Sequence, residues 1–177
     1  MKKKMDKKKR KPGKQQEQQH VRPDWDEYFI NISREVGKRA TCDRGRSGAV
    51  IVKEKRILCT GYVGAPVGLS HCDEIGHLFK TVYKADGTKS EHCVRTTHAE
   101  MNAIVQAARY GIEIDGATIY CRMVPCLDCA KAIINAGIKR VVCEKMYHGG
   151  YDTIDFFKSA GVELKILSDE METYPRM

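Results

Sequence analysis

Gly111, Gly137 and Gly161 each close a run of helical periodicity, and each is followed within a few residues by a short apolar run. The helical runs are Ala99–Tyr110, Cys126–Ala136 and Thr153–Ala160; the apolar runs are Ala117–Cys121, Lys139–Cys143 and Val162–Leu167. Glycine is the residue that best ends a helix, because it takes the left-handed backbone there without strain. Helices and strands in strict alternation, at this spacing, call for crossover units and parallel strand pairing. Ahead of them, Asp24 as N-cap and Trp25, Phe29, Ile32 and Val36 at helical spacing predict a first helix. Ala49–Val52 and Arg56–Gly61, joined by a short polar turn, predict a hairpin. The fold class expected is α/β, a three-layer α/β/α arrangement with a roughly five-stranded mixed sheet.

Length and charge bound what the domain does. The chain's 177 residues fit one domain with its own core. The net charge is +8, and residues 1–22 hold all of it, with ten Lys and Arg against Asp6 and Glu17. Residues 23–177 balance 21 basic against 21 acidic side chains. A groove for a phosphate backbone needs a basic excess on the domain itself, so a small ligand is expected and nucleic acid is not. Residues 1–22 read as a disordered basic tail, 23–170 as the domain and 171–177 as a C-terminal tail. No run of 18 apolar residues and no secretory h-region occurs, so the expectation is a cytoplasmic protein with no membrane partner. The KKKRK stretch at 7–11 would serve as a nuclear address in a eukaryotic host.

The eight cysteines, in a chain read as cytoplasmic, suggest metal ligands and buried thiols rather than a disulfide framework. Cys59, Cys121 and Cys143 lie in strand-like apolar runs and read as core. His98-Ala99-Glu100 and Pro125-Cys126-Leu127-Asp128-Cys129 carry more information, because both stand where a helix begins. Cys126 and Cys129, three apart, share one face of a first helical turn, where free N–H groups and the helix dipole favour thiolates. One imidazole and two thiolates leave the fourth position of a tetrahedral zinc for water, the pattern of a catalytic site. Glu100 sits two residues beyond His98 and is placed to move that water's protons. The pair matches the zinc deaminase signature H-x-E…P-C-x-x-C.

From Arg22 to about Leu167 the chain resembles the deoxycytidylate (dCMP) deaminase family, its bacterial and phage branch. The stretches that carry the resemblance are SGAVIVKEKRILCTGY, GLSHCDEIGH, HCVRTTHAEMNAI, GATIYCRMVPCLDCAKAIINAGIKRVV and SAGVEL. It implies a cytidine-deaminase-like fold and hydrolysis of dCMP to dUMP and ammonia, feeding thymidylate synthesis. His98, Cys126 and Cys129 would hold zinc, and Glu100 would act as general acid and base. Backbone at Ala99 and Pro125 would face the pyrimidine, with Tyr120 and Tyr147 as candidates for the pocket wall. Another cytosine substrate (dCTP, cytidine or single-stranded DNA) or a noncatalytic zinc-stabilised module are the alternatives.

The segment 63–97 is irregular and is expected to be a long loop, which needs something to hold it. Cys42, His71, Cys72, His92 and Cys93 bracket it. Cys42, His71, Cys72 and Cys93 are the chosen ligands of a second, structural zinc, with His92 as the alternative to His71. Arg44 and Arg46 follow the first helix; they could reach a 5′-phosphate or form a solvated basic turn. The family's GYNG motif stands here as Gly61-Tyr62-Val63-Gly64, and Val63 cannot hydrogen-bond through its side chain. In regulated relatives this motif, with Mg2+, contributes to a dCTP/dTTP effector site, so Tyr62, Gly64 and Arg109 are the allosteric candidates. The family also implies a homo-oligomer, a hexamer.

Overall fold

The side chain of Asp24 accepts the N–H of Glu27 and starts the first helix, α1 (Trp25–Gly37). A computed structural model describes residues 21–83, 87, 89–147 and 150–172. Residues 1–20 and 173–177, most of the two expected tails, lie outside the described residues, as does the KKKRK stretch. A single 3-10 turn (Asp43–Gly45) leads into the hairpin β1 (Gly48–Lys53) and β2 (Arg56–Tyr62). Its tight turn is Glu54-Lys55, both with positive φ, the twist that two-residue hairpins prefer. The crossover half follows as α3 (Ala99–Tyr110), β5 (Thr118–Met123), α4 (Leu127–Asn135), β6 (Arg140–Tyr147), α5 (Tyr151–Ser159) and β7 (Glu163–Glu172).

The sheet order is β2-β1-β5-β6-β7. β1 pairs antiparallel with β2 and β5, whereas β5–β6 and β6–β7 are parallel. This is the mixed five-stranded sheet expected. The last strand runs to Glu172, so the boundary expected at residue 171 falls inside it. Period-two alternation sorts the two faces of the central strands. Val50, Val52, Tyr120 and Val142 point to α1 and pack on Phe29 and Ile30. Ile51, Ile119, Cys121, Val141 and Cys143 point the other way, into the core beneath α3, α4 and α5.

Two glycines set how closely the helices approach. A Cβ on Gly48 would lie 2.2 Å from the carbonyl oxygen of Ser33 in α1. One on Gly61 would lie 2.3 Å from the carbonyl oxygen of Ala99 and 2.4 Å from the N of Ala103. Only a hydrogen fits in either place, so α3 rests its first turn directly on β2. Polar contacts of Asp26 anchor α1 to three strands. Asp26 accepts Arg140 through both carboxylate oxygens at 2.7 and 2.9 Å, Lys165 at 2.7 Å and the Tyr120 hydroxyl at 3.1 Å. These cations hold its carboxyl well below the usual carboxylate range, led by the hydrogen bonds from Arg140.

The expected loop 63–97 is in fact partly built. It contains a four-residue helix, α2 (Cys72–Ile75), and a second hairpin, β3 (Phe79–Tyr83) with β4 (Lys89–Cys93). Every residue of β3 is exposed, so no buried stripe announced a strand.

Candidate active site

α3 and α4 begin side by side over the C-terminal end of β5, with His98 as the N-cap of one and Cys126 as the N-cap of the other. Their first turns bring His98, Cys126 and Cys129 together, with all three ligand atoms within 4.8 Å of one another. His98 Nδ1 lies 3.4 Å from Cys126 Sγ and 3.5 Å from Cys129 Sγ. A tetrahedral ion with Zn–S of about 2.3 Å and Zn–N of about 2.0 Å requires roughly 3.5 Å between S and N. The donor set and its spacing therefore fit Zn2+. Burial falls from Cys129 (buried) through Cys126 (half-buried) to His98 (exposed), so the cluster opens to solvent on one side.

The electrostatics agree with a site that binds a cation. Hydrogen bonding from Cys129, then from His98, pulls the Cys126 thiol down to about 4, while the shared proton and burial push Cys129 up. His98 is raised to about 9, chiefly by its hydrogen bond to Cys126. Glu100, 7% exposed and in the first turn of α3, is pushed up by burial. It shares charge interactions with His98 and Cys126.

The loops around the cluster are held by named contacts. Thr153, fully buried in the first turn of α5, donates its hydroxyl to the Pro125 carbonyl at 2.9 Å and so fixes the peptide before Cys126. Asn102 donates to the Tyr62 carbonyl at 2.7 Å and to that of Thr97 at 3.5 Å. Gly64 and Thr97 exchange backbone hydrogen bonds at 3.3 and 2.9 Å. The Tyr62–Gly64 segment is thus bound to the residue before His98. Neither Thr153 nor Asn102 stood out in the sequence; each is an ordinary polar residue of a helix whose role is set by the loop it meets.

The other expected positions divide. Ala99 and Pro125 are buried beside the cluster. Tyr147, half-buried at the end of β6, is within charge range of Cys126 and Arg44. Tyr120 is not a pocket residue: strand alternation turns it to the opposite face, where its ring packs 5.0 Å from Phe29 and its hydroxyl meets Asp26. Arg46 keeps an exposed side chain, and its carbonyl accepts Arg122 at 3.3 Å. Arg109 is exposed in the last turn of α3, about 13 Å along the helix from Glu100 at 1.5 Å per residue. Val63 buries its side chain in the core together with Cys42 and Cys72, and Tyr62 is 37% exposed.

A second cluster forms from Cys42, Cys72, His77 and Cys93, again with ligand atoms within 4.8 Å of one another. Cys72 and Cys93 Sγ are 3.6 Å apart, and Cys42 Sγ is 3.7 Å from His77 Nδ1. Four N/S donors at this spacing fit a closed tetrahedral Zn2+. The far nitrogen of His77, Nε2, lies 3.1 Å from Asp43, which leaves Nδ1 facing the sulfurs. His71 and His92 are the corrections. His71 precedes α2, and its Nδ1 hydrogen-bonds Thr41 Oγ1 at 3.0 Å. His92 neighbours Cys93 on β4 and therefore points to the other face of the hairpin. His77 lies in GLSHCDEIGH, six residues after His71, and only the turn at Gly76 brings it back to the cysteines.

The family model described as the cytidine and deoxycytidylate deaminase zinc-binding region matches residues 23–145. The chain belongs to this family. As a member of the deaminase family it is 40% identical over 148 residues to ComE operon protein 2 of Bacillus subtilis, covering 83% of this chain and 74% of that protein. It is 35% identical over 144 residues to the deoxycytidylate deaminase of Schizosaccharomyces pombe, covering 81% of this chain but only 44% of that longer protein. The dCMP deaminase of cyanophage S-TIM5, solved in complex with dCMP and dUMP, superposes with a TM-score of 0.65 at 30% identity. That match covers 83% of this deaminase chain and 99% of the phage chain. No helix among the described residues is long and apolar enough to cross a membrane.

Proposed function

We propose that the chain hydrolyses dCMP to dUMP and ammonia. The observation that carries this reading is buried Glu100, two residues from His98 in the first turn of α3 and beside three converging ligands, in a fold shared with a dCMP-binding phage deaminase. His98, Cys126 and Cys129 would hold Zn2+, which when bound activates a water and leaves a position open for it. Glu100 takes a proton from the attacking water and gives it to N3 of the cytosine. The water oxygen forms its bond to C4, Glu100 carries the remaining proton to N4, and the C4–N4 bond breaks with loss of ammonia. Burial suits Glu100 to both steps, because it raises the carboxyl's affinity for a proton. Thr153 holds the Pro125 peptide, and the backbone at Ala99 and Pro125 lines the pyrimidine edge. Arg44, whose charge is felt at Tyr147, is assigned to the 5′-phosphate.

The reading extends to a second Zn2+ in the Cys42–Cys72–His77–Cys93 cluster and to regulation by dCTP and dTTP, with Mg2+, through Tyr62–Gly64. Support for the latter is the direct hydrogen bonding of Gly64 to Thr97 beside His98. Exposed Ile57, Val105 and Tyr110 on β2 and α3 supply apolar area for a homo-oligomer.

The test is ammonia release, with chromatographic identification of product, from dCMP, dCTP, cytidine and a C-containing single-stranded oligonucleotide, with and without dCTP and dTTP as effectors. Formation of dUMP from dCMP, in preference to the other three, is the expected result. Preference for another cytosine compound would overturn the substrate assignment, and silence on all four would favour a noncatalytic module.

A further inference from the structure

Arg44 packs on the hairpin that carries part of the second cluster. It lies two residues after Cys42, its Nη2 donates to the Glu91 carbonyl at 3.1 Å, and its guanidinium stacks 4.9 Å from the Phe79 ring centroid. Glu91 is two residues before Cys93 and Phe79 two residues after His77, so each contact is a short rigid step from a ligand. Phe79 and Cys93 are also direct cross-strand partners, and the His77 and Phe79 rings are 5.1 Å apart. Asp43, adjacent to Arg44, accepts from His77 at 3.1 Å. The hairpin that supplies Phe79 and Glu91 has an exposed β3 and forms a sheet separate from the main one. A two-stranded hairpin is marginal by itself. A guanidinium has five N–H donors, and the Glu91 carbonyl takes one; the Arg46 carbonyl, two residues on, accepts Arg122 at 3.3 Å and ties this turn to the end of β5 that leads to Pro125 and Cys126.

We propose that the Cys42–Cys72–His77–Cys93 cluster is a positioning device for the substrate phosphate: a metal bound there fixes the hairpin and thereby aims Arg44. This rests on the deaminase reading and on Arg44 as the phosphate contact. Nucleotide affinity then depends on a metal separate from the catalytic one, whereas the chemical step at Glu100 does not.

The experiment is a double-mutant cycle in the zinc-loaded full chain, reading zinc per chain and calorimetric affinity for the product dUMP, beside KM and kcat for dCMP. His77→Ala should leave one zinc per chain, weaken dUMP about tenfold, as losing one well-placed charged hydrogen bond does, and raise KM with kcat little changed. In the Arg44→Ala background the same substitution should cause no further loss, because the residue it positions is gone. Phe79→Ala, which removes no ligand, should keep two zinc per chain and show the same non-additivity; its cycle decides the matter if His77→Ala does not fold. Additive losses, or unchanged dUMP affinity at one zinc per chain, would overturn the positioning role while normal turnover of dCMP left the function standing. Failure of the unmodified chain to release ammonia from dCMP would overturn both.

Discussion

Gly61 in β2 and Ala99 in α3 touch so closely that the Cβ which Gly61 lacks would lie 2.3 Å from the Ala99 carbonyl oxygen. This contact joins fold to chemistry, because Ala99 stands between His98 and Glu100 and its depth fixes both. Gly61→Ala should therefore destabilise the domain by about 2–3 kcal/mol, as overpacking a rigid backbone contact does. It should also lower zinc content at the His98 cluster. Thermal melting and metal analysis of the variant check both; a melting temperature and zinc content equal to those of the unmodified chain would contradict the packing argument.

Acid stability should report Asp26. Its folded pKa is depressed by Arg140 and Lys165, so the stabilisation is complete above the unfolded carboxylate value near 4 and is lost as pH falls below it. Melting temperature should be flat with respect to this group from pH 7 to 5 and fall between pH 4 and 2. Asp26→Asn should cost about 2–3 kcal/mol at pH 7, since Arg140 keeps its charge at a partly buried position, and should flatten the acid limb. A variant with the same acid limb as the unmodified chain would show that another carboxyl governs it.

Thr153→Val keeps the volume but leaves the buried Pro125 carbonyl without its donor. The expected loss is about 1–2 kcal/mol, with faster release of zinc to a chelator from the Cys126 side of the cluster. Thr153→Ser should restore most of both. If Val and Ser variants release zinc at the same rate, the hydroxyl does not hold the Cys126 peptide.

How much of this was readable beforehand follows from what each part is made of. The α/β alternation was legible because the central strands are buried as short apolar runs, the helices between them keep a helical spacing, and Gly111, Gly137 and Gly161 mark the helix ends. The His98–Cys126–Cys129 cluster was legible because short fixed spacings at helix starts place the ligands without long-range knowledge. The hairpin over 79–93 was not, since β3 buries nothing and leaves no alternation in the sequence. His77 was passed over for the same reason: its place in the second cluster depends on a turn at Gly76, not on spacing within a regular element. His71, adjacent to Cys72, faces elsewhere because neighbouring residues at a helix start point about 100° apart. Tyr120 illustrates a parity error, one residue from the Cys121 that does lie on the side of the active site.

The central claim, that buried Glu100 moves the protons in a zinc-dependent deamination of cytosine, is tested most directly by Glu100→Ala measured beside the unmodified chain. Zinc at the His98–Cys126–Cys129 cluster and the conversion of dCMP to dUMP would be read on the same samples. Zinc should remain, because Glu100 is not among the three converging ligands, while turnover should fall by at least about 10²–10⁴-fold, the range of a lost general acid–base. Retained zinc with turnover near that of the unmodified chain would contradict the account.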